Sequence, residues 1–241
     1  MRSPLGVLVV VTLVAMAVFA IWPDIDLTIA RAIYSAGGGA FAGRAGLDRA
    51  LRAFFNITPF VVLAAFALVW LLGRFGVATP FAVSGRALVF LIASLMIGPG
   101  LVVNLGLKDH MHRPRPVHLV EFGGAAEFRP WDSIDGACKK NCSFPSGEVA
   151  ESFWLVAPAS LAPPLWRAPA IGAALVFGVA TGALRMAFGG HFLSDAVLGA
   201  LLTMIVVVLA RRVFGVTPAR PATTIASGLA APPLRASPPV R

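Results

Sequence analysis

The chain has 241 residues, 58% of them hydrophobic and only 13% charged, with a formal net charge of +9. Soluble domains are roughly 45–50% apolar and about 25% charged, so this composition excludes a disordered chain, a collagen and an ordinary soluble globule. An integral membrane protein remains, and two cysteines are too few for a disulfide scaffold.

Apolar runs lie at about 5–22, 54–72, 88–107, 149–161, 169–186 and 196–213. A helix needs about 20 residues to cross a bilayer, and Gly and Pro are tolerated there more than in water. The expected fold is an all-α integral membrane protein. Its six-transmembrane-helix bundle covers 1–216, and a long periplasmic loop at about 108–148 carries part of the active site. The fourth run is short and holds Pro158, which makes it the weakest of the six. The first run has a rival reading as a signal peptide, because Arg2 precedes it and Ala15-Met16-Ala17 resembles a cleavage site. It exceeds most signal cores in length, so an uncleaved span is preferred. No internal repeat is visible. The Pro/Ala/Ser-rich stretch 217–241 lacks apolar periodicity and reads as a disordered cytoplasmic tail.

Charge sets the orientation. With six spans and both termini on one side, that side holds Arg2, Arg74, Arg86, Arg167, Arg211, Arg212, Arg220, Arg235 and Arg241, and no acid. Those arginines account for the whole excess of +9. By the positive-inside rule this face and both termini are cytoplasmic, and the expected location is a bacterial inner membrane. The net charge then records topology rather than a nucleic-acid partner. The opposite face and the helix ends carry the 11 acids, the four histidines and both cysteines, so chemistry is expected at the periplasmic side. Cys138 and Cys142 sit there as Cys-Lys-Lys-Asn-Cys. A disulfide is preferred in an oxidising compartment, with a zinc site using His110, His112 or His118 as the rival.

Three polar segments meet the outer ends of the helices: Lys108 to Pro116, Phe144 to Glu148, and Arg185 to Asp195. Ionisable residues converging at a bilayer boundary form a functional-site hypothesis. Lys108, Arg113, Arg115 and Arg185 place up to four cations around one pocket, and arginine forks match phosphate oxygens. Ser146 and Gly147 open a helix whose backbone N–H groups suit an anion. His191 and Asp195, four apart, share one helical face; the carboxylate would fix the imidazole tautomer and make His191 a nucleophile toward phosphorus. No Walker sequence or acidic metal cage is present, so no obligatory metal or other cofactor is expected. Each element has a plainer reading: snorkelling cations, Ser146 as an N-cap, Glu148 as a first-turn acid, a structural His–Asp pair. Their convergence favours the site.

Lys108-x6-Arg115-Pro116, Pro145-Ser146-Gly147 and Arg185-x5-His191-x3-Asp195 resemble the three-part signature of the type 2 phosphatidic acid phosphatase superfamily. The resemblance implies that His191 attacks a phosphomonoester and forms a phosphohistidine, supported by Asp195. It implies that Lys108, Arg115, Ser146, Gly147 and Arg185 hold the phosphoryl oxygens, with Arg113 as an accessory cation. Glu148 stands where the family usually has a proton-donating histidine, and Leu184 where it usually has serine. A carboxylic acid serves as donor only with a raised pKa, and nearby cations oppose that, so His110 and His112 remain alternative donors. Phe122-Gly123-Gly124, Asn141 to Glu148 and Ile25-Asp26-Leu27 resemble the bacterial lipid A phosphatases, the 4′-phosphatase type most closely. The expected partner is therefore a membrane lipid, with lipid A first and the 4′-position ahead of the 1-position. No nucleic acid and no obligatory protein partner is expected. The competing readings are a polyprenyl pyrophosphate or phosphatidylglycerophosphate phosphatase, and a non-catalytic phospholipid-binding or transport protein.

Overall fold

A computed structural model describes residues 3–43, 46–79, 81–108 and 110–216, with the side chains of 46–48 left aside. The expected disordered tail, 217–241, lies outside the described residues, as does Arg2. Helices make up nearly all of the regular structure. They are α1 (Pro4–Ile21), α2 (Asp24–Ala36), α3 (Gly46–Arg74), α4 (Gly85–Leu95), α5 (Gly147–Phe153), α6 (Val156–Ala159), α7 (Pro164–Ala187) and α8 (Leu193–Phe214). A π-helical stretch, Met96–Lys108, continues α4.

Among the described residues, five helices are long and apolar enough to cross a membrane: Pro4–Ile21, Arg49–Arg74, Gly85–Lys108, Pro164–Ala187 and Leu193–Phe214. The chain is thus a helical membrane protein. Their outward faces expose apolar side chains, as at Leu13, Ile57, Val176 and Val213, which suits acyl chains. Local signals start and stop them. Ser3 accepts from the Gly6 amide and Ser84 from the Ala87 amide as N-caps, and Gly215 ends α8 with φ +56°.

The run expected as the fourth span differs from the rest. It forms the two short helices α5 and α6, broken at Trp154-Leu155. The physical reason is its position. α5 packs against α3, α7, α8 and the π-helical stretch, and α6 against α4, α7 and α8. A segment wrapped by other helices needs no lipid-facing apolar surface, so it can carry Glu148, Glu151, Ser152 and Ser160. Its core is a cluster of Phe90, Leu91, Trp154, Leu161 and Val207, where the Trp154 indole N–H donates to Ser94 Oγ at 2.9 Å. The small Gly178 lets α7 meet the Phe153 ring, since a Cβ there would come within 2.5 Å of it.

The first apolar run is followed by an element the periodicity did not announce. α2 is amphipathic and buries Asp26, Leu27 and Ala30. It packs on α7 and α8 and joins Leu119, Phe122 and Phe192 in a second apolar cluster that caps one end of the bundle. The long loop before α5 folds onto the same end. It holds two single-turn 3₁₀ helices and a bridge between Leu119 and Ala126, and a disulfide joins Cys138 to Cys142.

Candidate active site

All three polar segments meet at this end of the bundle. The loop after the π-helical stretch brings Arg113 and Arg115, the cis Phe144–Pro145 peptide leads into α5, and the turn between α7 and α8 brings His191. The wide π-helical turn carries Asn104 and Lys108 toward α5. Gly147 lies so close to Asn104 that a Cβ would stand 2.3 Å from its Oδ1.

His191 and Asp195 do not share a helical face, contrary to expectation. α8 starts at Leu193, so His191 precedes it while Asp195 occupies the first turn. The pair meets because the Asp195 carboxylate turns back. It accepts the Phe192 amide at 2.8 Å, and its Oδ2 lies 3.6 Å from His191 Nδ1. The closer partner of Nδ1 is the Ser143 carbonyl at 2.7 Å, while the Ser143 hydroxyl donates to Asp195 at 2.5 Å. A carbonyl only accepts, so Nδ1 carries the proton and Nε2 keeps its lone pair. That is the tautomer a nucleophile needs. His191 is buried, and burial pushes it down to about 4 despite Asp195, with Lys108 and Arg185 adding to the effect. It is neutral at neutral pH.

This shift has a consequence for stability. Between pH 6.5 and about 4 the unfolded chain binds a proton at this histidine and the native chain does not. Stability from the neutral ring is therefore complete above pH 6.5 and declines as pH falls to about 4, by about 3 kcal/mol in all. Thermal unfolding in detergent is expected to lose Tm over that window, and His191→Gln is expected to flatten the loss. An unchanged slope in the variant would remove His191 as its source.

The cations divide into two groups. Lys108 donates to the Pro145 carbonyl at 3.5 Å and interacts electrostatically with Arg115, Asp195, Glu148 and Arg185. Arg115 donates twice to the Asn141 carbonyl, at 3.0 and 2.9 Å, and once to its side-chain oxygen at 2.8 Å. Arg185 is buried and pairs with Glu148 at 3.3 Å. Gly190 makes room for it, since a Cβ there would stand 2.6 Å from Arg185 Nη2. Ser146 Oγ is also buried and has no hydrogen-bond partner among the described residues, while the Ser146 amide is bonded to the Asp195 carbonyl. Lys108, Arg115, Ser146, Gly147 and Arg185 thus gather around α5.

Arg113 does not join them. It is fully buried, and its guanidinium is held by Asp26 at 2.8 Å and Asp195 at 2.5 Å, with further bonds to Ser194 Oγ and the Arg129 carbonyl. It stacks 4.3 Å from the Phe192 ring centroid. The four-cation pocket expected from the sequence is corrected here: Arg113 is buried between two carboxylates, and four of its five N–H donors go to Asp26, Asp195, Ser194 and the Arg129 carbonyl. His110 is exposed, and the His112 ring donates to the Cys138 carbonyl at 2.8 Å, tying it to the disulfide loop. The disulfide leaves no thiolates for the rival zinc reading.

Glu148 is bridged by two arginines. Arg52 of α3 reaches it at 2.5 Å and Arg185 at 3.3 Å. Both contacts are charge-assisted, and the two guanidiniums share the one carboxylate. One turn on, Glu151 accepts from Asn104 at 3.5 Å. Arg52, Asn104 and Glu151 belong to no motif in the sequence, and Ser143 enters only within the Asn141 to Glu148 resemblance. The available signal was a polar side chain within or beside an apolar run. Asp26 had been noticed only within the Ile25-Asp26-Leu27 resemblance.

A buried histidine beside clustered cations and a buried serine hydroxyl suits phosphoryl transfer. Comparison with known proteins agrees. A lipid A 4′-phosphatase from Rhizobium leguminosarum is 35% identical over 208 residues, 79% of this chain and 88% of that protein. One from Francisella tularensis subsp. novicida is 38% identical over 191 residues, 78% and 85% of the two chains. A third, from Rhizobium etli, is 35% identical over 205 residues, 79% of each. No solved structure matches the chain. The PAP2 superfamily model matches residues 86–217, which hold all three motifs, and the chain belongs to the PAP2 superfamily.

Proposed function

We propose that this protein is a lipid A 4′-phosphatase of a bacterial inner membrane, a phosphoric monoester hydrolase that works through a phosphohistidine. The observation that carries the reading is the Nδ1-protonated, buried His191 set beside Lys108, Arg115 and Arg185, in a chain covered over 79% of its length by a lipid A 4′-phosphatase. In this reading α5 and α6 together make a sixth crossing, both termini are cytoplasmic, and the site faces the periplasm.

The chemistry follows from the residues. His191 Nε2 attacks phosphorus, and the N–P bond forms as the bond to the sugar oxygen breaks. Lys108, Arg115, Arg185, Ser146 Oγ and the Gly147 amide hold the equatorial oxygens, where a loose transition state keeps its charge. The leaving alkoxide takes a proton from Glu148. That carboxyl becomes a competent acid once the incoming phosphate takes over Arg185 and ends its pairing with Glu148. Water then attacks the phosphohistidine, with Glu148 as base, and releases inorganic phosphate.

The test is phosphate release from lipid A in detergent by the purified full chain, with EDTA present and mass spectrometry locating the phosphate lost. Loss from the 4′-position supports the reading. Release only from polyprenyl pyrophosphate or phosphatidylglycerophosphate would move the assignment to another lipid, and no release from any of the three would promote a binding or transport protein.

A further inference from the structure

The brace behind the nucleophile extends to a helix that lies outside residues 86–217. Asp26 of α2 is buried, yet all its bonds go to the catalytic end of the bundle. Its Oδ2 accepts from Arg113 at 2.8 Å and from the Ser194 hydroxyl, and its Oδ1 accepts the Ser194 amide at 2.9 Å. Arg113 in turn donates to Asp195, and Asp195 faces His191 Nδ1. Leu27 and Ala30, on the same helix, pack in one cluster with Phe192 and so anchor α2 against this turn.

The charge balance gives this arrangement a purpose. Arg113 with Asp195 alone would be a neutral pair, and His191 would face little net charge from it. With Asp26, two carboxylates share one guanidinium and one net negative charge remains. Phosphorylation at Nε2 with Nδ1 protonated makes the imidazole ring positive, and in a buried site that charge needs a counter-charge nearby. Of the other charged groups that act on His191, Lys108 and Arg185 have the wrong sign for this, and Glu148 is already paired with two arginines. We infer that Asp26 is a positioning residue for the nucleophile: by engaging Arg113 and the start of α8, it keeps Asp195 negative and aimed at His191 Nδ1. The inference rests on the phosphohistidine reading of the site.

The test uses the full chain in detergent, with Asp26→Asn, Asp26→Glu, Asp195→Asn and the Asp26→Asn/Asp195→Asn double variant. Turnover of lipid A is measured alongside the ¹⁵N shifts of the His191 ring, assigned through His191→Gln. Asp26→Asn is expected to lower kcat by about 10–100-fold and leave KM within about threefold, the scale for a group that orients a reacting side chain from behind. Asp26→Glu recovers part of the loss. In the Asp195→Asn background the Asp26→Asn change adds less than about threefold, because the two residues act through one contact. The ring shifts read the tautomer without turnover. Wild type is Nδ1-protonated, and Asp26→Asn is mixed. A purely structural role would instead give equal fold-losses in both backgrounds and an unchanged tautomer, and either result overturns the inference. If wild type releases no phosphate, the functional reading fails and the tautomer measurement alone decides this one. Should Asp26→Asn fail to fold, Asp26→Glu takes its place, and an unchanged kcat together with an unchanged tautomer overturns the inference.

Discussion

Lipid A phosphatase activity is expected to fall by about 10⁴-fold or more when His191 is replaced by alanine, because the route through a covalent intermediate disappears with the nucleophile. The cationic cradle would still bind the substrate, since Lys108, Arg115 and Arg185 do not depend on the imidazole for their contacts. KM is therefore expected to change little while kcat collapses. Lipid A carrying radiolabelled phosphate gives the direct check. Wild type quenched in alkali should retain label on the protein that acid releases, as expected of a phosphoramidate, and His191→Ala should retain none. Labelled protein in the variant would place the nucleophile elsewhere. Full activity without any labelled protein in wild type would point to direct attack by water.

Glu148 carries the second large effect. Glu148→Ala is expected to lower kcat by about 10²–10³-fold, the usual worth of a positioned acid, and Glu148→His to restore part of it. The resting geometry makes this a demanding expectation, because Arg52 and Arg185 both pair with the carboxylate. The acid form becomes accessible only when a phosphate draws Arg185 away. Arg52→Gln separates the parts. It removes the Arg52 hydrogen bonds to Glu148, and the basic limb of the kcat–pH profile is expected to move upward. An unchanged kcat in Glu148→Ala would reduce Glu148 to a counter-ion for the two arginines and leave proton donation to another group.

The membrane character and the chemistry were legible in the sequence for different reasons. Long apolar runs report a bilayer directly, because the residues that face lipid on a spanning helix must be apolar. α1, α3 and α7 expose such faces, and they match the expected runs. The three motifs were equally legible, since the residue types at those spacings define the phosphate chemistry and the family. α5 and α6 were hard to read for the opposite reason. A helix enclosed by other helices is released from the apolar rule, so its polar residues and its break look like a failed span.

The roles of the charges were decided by the tertiary structure. A sequence gives the number of cations near a site but not the partner of each one. Arg113 and Arg115 are two residues apart and look equivalent, yet one is enclosed by Asp26 and Asp195 and the other turns to Asn141. Arg52 and Asp26 reach the site from 96 and 87 residues away from their partners Glu148 and Arg113. Electrostatic energy depends on distance through a low-dielectric interior, and only the folded chain sets those distances. The amino-acid order by itself determined that this is a membrane protein of the PAP2 superfamily. Packing decided which charges gather around α5 and which pair with each other.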